Sequence, residues 1–246
     1  MKGWDAATYG DRVADVYDEW VETRDLDTDG AVEFLAGLAG AGPALELAVG
    51  TGRVALPLAA RGVAVEGIDA SERMVARLRA KPGGDAIPVT MGDFADVAVD
   101  GRFPLVFVVF NTFFALVSQD DQVRCFANVA HRLTDNGVFV LEAFFPDVGR
   151  FADDQLVTVR DVELDHVRLD VSRHDPVAQR IDAHQVDLRP DGIRLQPISL
   201  RYAWPGELDL MARLAGLRLR ERWGGWRRQP FTAASPLHVS VYERAS

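Results

Sequence analysis

Between Asp11 and Trp20 the apolar residues Val13, Ala14, Val16, Tyr17 and Trp20 recur at helical spacing, which predicts an amphipathic helix. Ala31 to Leu38 repeats the pattern and stops at Gly40 and Gly42. Short apolar runs then alternate with helical stretches. ALELAV, from Ala44, reads as a strand entering the turn Gly50-Thr51-Gly52, and Arg53 to Arg61 as the helix after it. Val63 to Asp69 predicts a second strand, and Glu72 to Ala80 a helix that Ser71 can cap. Ile87 to Asp93 is a third strand. Phe103 to Phe110, the most apolar run, predicts a central strand covered on both faces. A helix from Asp120 to Leu133, a turn at Asp135-Asn136-Gly137 and a fifth strand from Val138 follow. This order predicts an α/β fold with a parallel sheet and crossover helices.

Beyond Pro146 the period shortens to two. LVTVRDVELDHVRLDVS, QRIDAHQVDL and GIRLQPISLRYAW predict antiparallel strands. Helical spacing returns at Glu207 to Leu214 and stops at Gly216. LRLRERW and HVSVYER are two final strand-like runs. The connection between them is long enough for the last strand to double back beside its predecessor.

A chain of 246 residues, 48% of them hydrophobic, can bury a full core. Its formal charge of −10 disfavours a phosphate-neutralising surface, so nucleic acid is not the expected partner. No apolar stretch approaches the roughly 20 residues that span a bilayer. The N-terminal residues lack a secretory pattern, and a cytoplasmic protein without a membrane partner is expected. The single cysteine, Cys125, excludes an intramolecular disulfide and a cysteine-based metal cluster. Its helical surroundings, QVRCFANVA, suggest a core thiol. No His/Glu spacing suggests a metal, and none is expected.

The turn Gly50-Thr51-Gly52-Arg53-Val54-Ala55 lies between a strand and a helix, where glycines let a ligand approach the backbone. Taken alone it also satisfies a G-x-G-x-x-A dinucleotide pattern, with Asp69 as the acidic partner, so a nicotinamide enzyme is a competing reading.

Its surroundings carry more. ALELAVGTGR resembles motif I of the class I S-adenosylmethionine (SAM) methyltransferases, E-x-G-x-G-x-G, through Glu46, Gly50 and Gly52; Ala48 stands where the first glycine is usual. GIDAS, Gly67 to Ser71 and including Ala70, resembles motif II; MGDF, Met91 to Phe94, motif III; VVFNTFF, Val108 to Phe114, motif IV. The resemblance covers nearly the whole chain and implies a Rossmann-like, seven-stranded sheet with a β-rich insertion before the last helix. It further implies N-terminal lid helices over 1–42, a SAM-binding core over 43–150, the insertion over 151–204 as substrate lid or homodimer surface, and the rest of the core sheet over 205–246. The small-molecule type, similar to sugar N-methyltransferases and glycine-methylating enzymes, fits best.

By that resemblance SAM is the cofactor and S-adenosylhomocysteine (SAH) the product. Asp69 would hold the ribose hydroxyls, Met74 and Phe94 would pack beside the adenine, and Asp93 would meet its amino group. Asn111 and Thr112 would lie near the methionine part, with Arg53 among the cofactor residues, and Tyr9 and Tyr17 would close over the methionyl end. The acceptor is expected to be a small molecule methylated on N or O.

Methyl transfer is an in-line displacement in which alignment does most of the work, and a base is needed only for a protonated nucleophile. His166, His174 and His184 fall in the insertion and His238 opens the last strand; the first two, His238 and Glu142 at the end of strand five are the candidate acid/base groups. His131 falls on an outer helix face. Trp223, Trp226 and Phe231 could line an aromatic pocket. A protein keeping the SAM fold without methyl transfer is the alternative from a second class.

Overall fold

The computed structural model describes residues 1, 3–22, 26–40 and 42–245. Five parallel strands form the centre: β1 (Ala44–Leu47), β2 (Val65–Asp69), β3 (Val89–Met91), β4 (Phe103–Val108) and β5 (Leu133–Phe144). Two more, β10 (Leu217–Trp223) and β11 (Leu237–Arg244), complete a seven-stranded sheet of order β10-β11-β5-β4-β1-β2-β3, with β11 antiparallel to both neighbours. The chain enters at β1, runs outward to β3, then crosses back to β4. Open α/β sheets bind ligands at such a reversal, beyond the carboxyl ends of the strands.

Strand alternation loads both faces of the sheet. Val106 and Val108 of β4 join a core completed by α6 (Gln119–Arg132) and α7 (Pro205–Leu214), through Cys125, Phe126, Val129, Leu208 and Met211. Leu105 and Phe107 face a core built with α3 (Thr28–Ala39), α4 (Ala55–Ala60) and Leu78 of α5 (Glu72–Arg79). Side chains start three of these helices as the chain leaves a loop. Asp27 accepts the Gly30 amide at 3.0 Å, Ser71 that of Met74 at 3.2 Å, and Ser118 that of Asp121 at 3.1 Å.

The helix expected over Asp11–Trp20 is two short helices, α1 (Thr8–Val13) and α2 (Tyr17–Glu22), broken at residues 14–16. Asp15 sits in the break and pairs with Arg73 and Arg77 of α5. The fifth strand starts at Leu133, not Val138. Leu133 pairs with Phe103 and Val138 with Leu105, so Asp135-Asn136-Gly137 is an irregularity inside β5. Gly137 is needed there, because a Cβ would come within 2.7 Å of the Phe103 carbonyl oxygen.

The segment after Pro146 forms a separate antiparallel sheet of β6 (Gln155–Val162), β7 (Val167–Asp175), β8 (Arg180–Arg189) and β9 (Gly192–Arg201), in that order. The long alternating run from Leu156 is two strands: it turns where the Glu163 amide donates to the His166 carbonyl at 2.7 Å. Among the described residues no helix is long and apolar enough to cross a membrane.

Candidate active site

The carboxyl ends of β4, β1 and β2 lie side by side at one end of the sheet. Asp69 closes β2 and is buried; its two oxygens accept the Gly50 amide at 2.7 Å and the Ser71 amide at 2.8 Å. Burial pushes its pKa up, and those amides act against the shift. Gly50, at φ +57°, faces open space: a Cβ there would meet only the Ala48 carbonyl oxygen at 4.0 Å. Gly52, at φ +80°, has no such room, because a Cβ would strike Leu78 at 2.4 Å. One glycine therefore leaves space beside the backbone and the other lets the turn pack on α5.

Ala48 adopts φ 57°, a left-handed conformation that suits glycine. Phe110 and Asn111, just after β4, are left-handed as well, at 58° and 63°. Three non-glycine residues in this sparsely populated region thus flank the reversal between β1 and β4. Clustering of that kind is typical of ligand sites. Thr112 follows in a 3-10 turn, Thr112–Ala115.

Below the turn, Glu46 of β1 is buried and its Oε2 has no hydrogen-bond partner. Burial raises its pKa to about 8, against the attraction of Arg53. The Arg53 guanidinium donates to the Thr28 hydroxyl at 2.8 Å and lies 5.3 Å from the centre of the Phe110 ring. Its charge is also felt by Tyr17 and by Glu142. Glu142, inside β5, accepts the Phe110 amide at 2.5 Å and a bond from Trp226, and burial raises its pKa. Arg53 is therefore the cation among the acids and the phenol at the mouth of the sheet.

The N-terminal helices strap this region down. Asp11 accepts the Ser71 hydroxyl at 2.6 Å, Asp15 pairs with Arg73 and Arg77, and Asp18 accepts from Thr51 at 2.6 Å and from Lys81 at 2.9 Å. Tyr9 and Tyr17 pack with Val13, Ala14 and Met74. Met74 is buried beneath the strap, and Phe94, at the end of the MGDF segment, lies in the core. Asp93 accepts the Ala95 amide at 2.9 Å. Ala70 continues from Asp69 into the capped start of α5.

The predicted acid/base groups are scattered. His238 is fully buried; its Nδ1 lies 2.9 Å from the Ser240 hydroxyl and burial lowers its pKa to about 3. His174 is bonded to the Tyr202 hydroxyl at 3.0 Å and lies beside the Phe151 ring. His166 contacts Asp187 and lines an open cleft of about 770 Å³ between α2 and the second sheet. Glu19, Trp20, Asp161, Glu163 and Arg168 also line it. His131 is exposed in the last turn of α6. The aromatic trio does not form one pocket: Trp226 stacks edge-on against Phe34, and Phe231 against Phe145 and His238.

Sequence pattern had not singled out Trp20, Phe110 or Asp187. Trp20 lines the cleft and meets the Phe110 ring edge-on at 5.8 Å, so the cleft wall touches the end of β4. Its spacing marked it only as part of an apolar helix face. Asp187 lies opposite Arg168 in the β7–β8 register, and no local motif reports that neighbour.

Residues 44–137 match the methyltransferase domain family. The CcbJ methyltransferase of Streptomyces caelestis has the same architecture, with a TM-score of 0.93 and 44% identity, over 99% of this chain and 100% of that one. The cypemycin N-terminal methyltransferase of a Streptomyces species is 28% identical over 203 residues, 81% of this chain and 82% of the relative. SAM-bound CalS10, an amino pentose methyltransferase of Micromonospora echinaspora, shares the fold with a TM-score of 0.69 at 24% identity, over 94% of this chain and 97% of that one. The dinucleotide reading of the glycine turn gives way to the reading supported by all four motifs. The chain belongs to the SAM-dependent methyltransferases.

Proposed function

We propose that this enzyme, working in the cytoplasm, methylates an amine nitrogen of a polar small molecule. The observation that carries this reading is the cleft between α2 and the second sheet. Its lining is polar and acid-rich, with Glu19, Asp161, Glu163, Asp165 and Asp191 against Arg160, Arg168 and Arg189. Arg160 is paired with Asp170, Arg189 with Asp187 and Asp191 with Arg194, so Glu19, Asp161, Glu163 and Asp165 outnumber Arg168 in the rest of the lining. An amine, cationic in solution, is drawn to such a lining, whereas an anionic acceptor is repelled. The N-terminal specificity in the name of the cypemycin enzyme supports a nitrogen acceptor.

The residues present fit SAM. Gly50 leaves room at the backbone, and the buried, unpartnered Glu46 oxygen offers an acceptor to an ammonium group. In this reading Asp69 takes the ribose hydroxyls, with Ala70 lining that side. Asp93 meets the adenine amino group, and Met74 and Phe94 its faces. Gly50, Gly52 and Ala48 let the backbone approach the methionyl part. Arg53 takes its carboxylate, with Asn111 and Thr112 beside it and Tyr9 and Tyr17 above. SAM, when bound, supplies an electrophilic methyl group on sulfur.

An ammonium acceptor has no lone pair until it loses a proton. His166, oriented by Asp187, faces the cleft and would take that proton. Neither other candidate histidine suits the task. His238 stays neutral at a pKa of about 3, and His174 is held by Tyr202. Glu142 is occupied by the Phe110 amide, and its proposed role is to position the strained turn after β4.

The test is SAH release from SAM with amino sugars, amino acid amides and short peptides beside their hydroxy counterparts, with products identified by mass. Turnover of amines alone supports the proposal. Turnover confined to hydroxyl acceptors sinks it.

A further inference from the structure

The cleft changes charge along its length. At one end the turn between β6 and β7 contributes Asp161, Glu163, Asp165 and His166. The other end runs under α2, where Arg168, Arg189 and Arg194 face Glu19 and Asp187. Strand register produces this division. Arg168 lies opposite Asp187 between β7 and β8, and Asp187 lies opposite Arg194 between β8 and β9. The three share the face that looks into the cleft, while Val159, Ile193 and Leu195 of the other face meet solvent.

Ion pairing occupies all but one of these arginines. Asp187 has both oxygens engaged, one by His166 and the other by Arg189 at 3.1 Å. Arg194 donates to Asp191 at 3.3 Å. Arg168 is therefore left beside an acid whose oxygens are already taken. Glu19 lines the same stretch from α2 and makes no ion pair with it among the described residues. Arg168 is thus a half-buried cation without an ion-pair partner on the cleft floor. A guanidinium carries donors only, set in a fork that matches two oxygens of a carboxylate or phosphate.

We infer that Arg168 binds an anionic group of the acceptor, so that the acceptor carries a carboxylate or phosphate as well as its amine. This rests on the amine reading above and extends it. An amine at the acidic turn and an anion at Arg168 each meet the opposite charge, and the reverse orientation sets like charges together. The cleft thereby fixes which end of the acceptor reaches His166. Arg168 is two residues beyond His166, roughly 6.6 Å along an extended strand. An amine and an anion a few bonds apart span the two side chains. A compound bearing only an anion is repelled by the acidic turn, whereas in one bearing both groups the amine offsets that repulsion.

The experiment is calorimetric titration of the SAH-saturated enzyme with two matched series. One is L-alanine, ethylamine and propionate; the other is glucosamine 6-phosphate, glucosamine and glucose 6-phosphate. Wild type is compared with Arg168→Gln, Arg168→Lys and, on α7, the exposed Arg213→Gln. In at least one series the compound with both groups is expected to bind roughly 10- to 100-fold tighter than the amine alone. Arg168→Gln should erase that advantage while leaving the affinity for the amine alone and for SAH unchanged. Arg168→Lys should keep part of it and Arg213→Gln all of it. The series that shows the advantage identifies carboxylate or phosphate. Equal affinities with and without the anion in both series overturn the inference, as does an advantage that survives Arg168→Gln or an absence of binding by every compound. If propionate or glucose 6-phosphate binds as tightly as its amine-bearing counterpart, the anion site stands and the amine reading falls.

Discussion

The Asp69 carboxylate accepts the backbone amide of Gly50 at 2.7 Å, tying the end of β2 to the turn after β1. The residue proposed to hold the ribose thus also shapes the glycine turn. Asp69→Asn keeps the volume and removes the charge. A hydrogen bond to a charged group contributes about 1.5–3 kcal/mol, so SAH affinity is expected to fall by roughly 10- to 100-fold. Calorimetric titration reads this directly, and unchanged affinity would remove Asp69 from the cofactor site.

Ala48 occupies a left-handed conformation at φ 57°. That conformation costs an L-residue ~1–2 kcal/mol, and a glycine there adds ~0.4–1 kcal/mol of unfolded-state entropy. Ala48→Gly is therefore expected to stabilise the free enzyme by up to ~1 kcal/mol, and thermal melts should rise by a few degrees. A lower Tm would mean that the alanine methyl makes contacts outweighing the strain.

Glu46 links stability to pH. Its pKa is raised from the ordinary 4.5 to about 8 by burial. The folded state therefore binds this proton more tightly than the unfolded chain does. Stability from this group is fully present below about pH 4.5 and is lost as pH rises towards 8, with a limiting slope of about 1.4 kcal/mol per unit. Asp69 shifts in the same direction. The lowered carboxylates Asp27 and Glu207 oppose it and lose stability at acid pH. Comparing urea unfolding of the wild type with Glu46→Gln from pH 5 to 8 isolates the residue: the difference should grow with pH in favour of Gln. A constant difference would contradict a buried, protonated Glu46.

The strap is held by partly exposed pairs, each worth about 1 kcal/mol or less. Asp15 is 63% exposed and Asp18 41%. Asp15→Ala with Asp18→Ala is expected to speed proteolytic cleavage within α1 and α2 several-fold while leaving the global Tm within a few degrees. Saturating SAH should slow that cleavage if Tyr9 and Tyr17 close over it. Equal cleavage with and without SAH would separate the strap from the cofactor.

His166→Gln separates proton removal from binding. The expectation is a loss of at least tenfold in kcat with unchanged SAH affinity. An undiminished kcat in the folded variant would assign proton removal to solvent or to another group.

The order of strands and helices and the glycine turn after β1 were legible because they are local. A buried strand needs a continuous apolar run, a turn needs glycine, and Ser71 caps the next residue's helix. Asp69 and Glu46 could be marked from sequence since each stands at a set distance from the Gly50–Gly52 turn. Other features depend on residues brought together from far along the chain. Spacing predicted one helix over Asp11–Trp20, yet Arg73 and Arg77 meet Asp15 at the point where it breaks. His166 was one of several equal histidines until the turn before β7 brought it against Asp187, and the aromatic trio separated onto different packing surfaces. The second sheet shows the division most clearly. Alternation in the sequence determined that it has an apolar and a polar face, since successive side chains on a strand must point opposite ways. Only the tertiary structure decided which face turns inward, because that depends on the strap helices and the cleft packed against it.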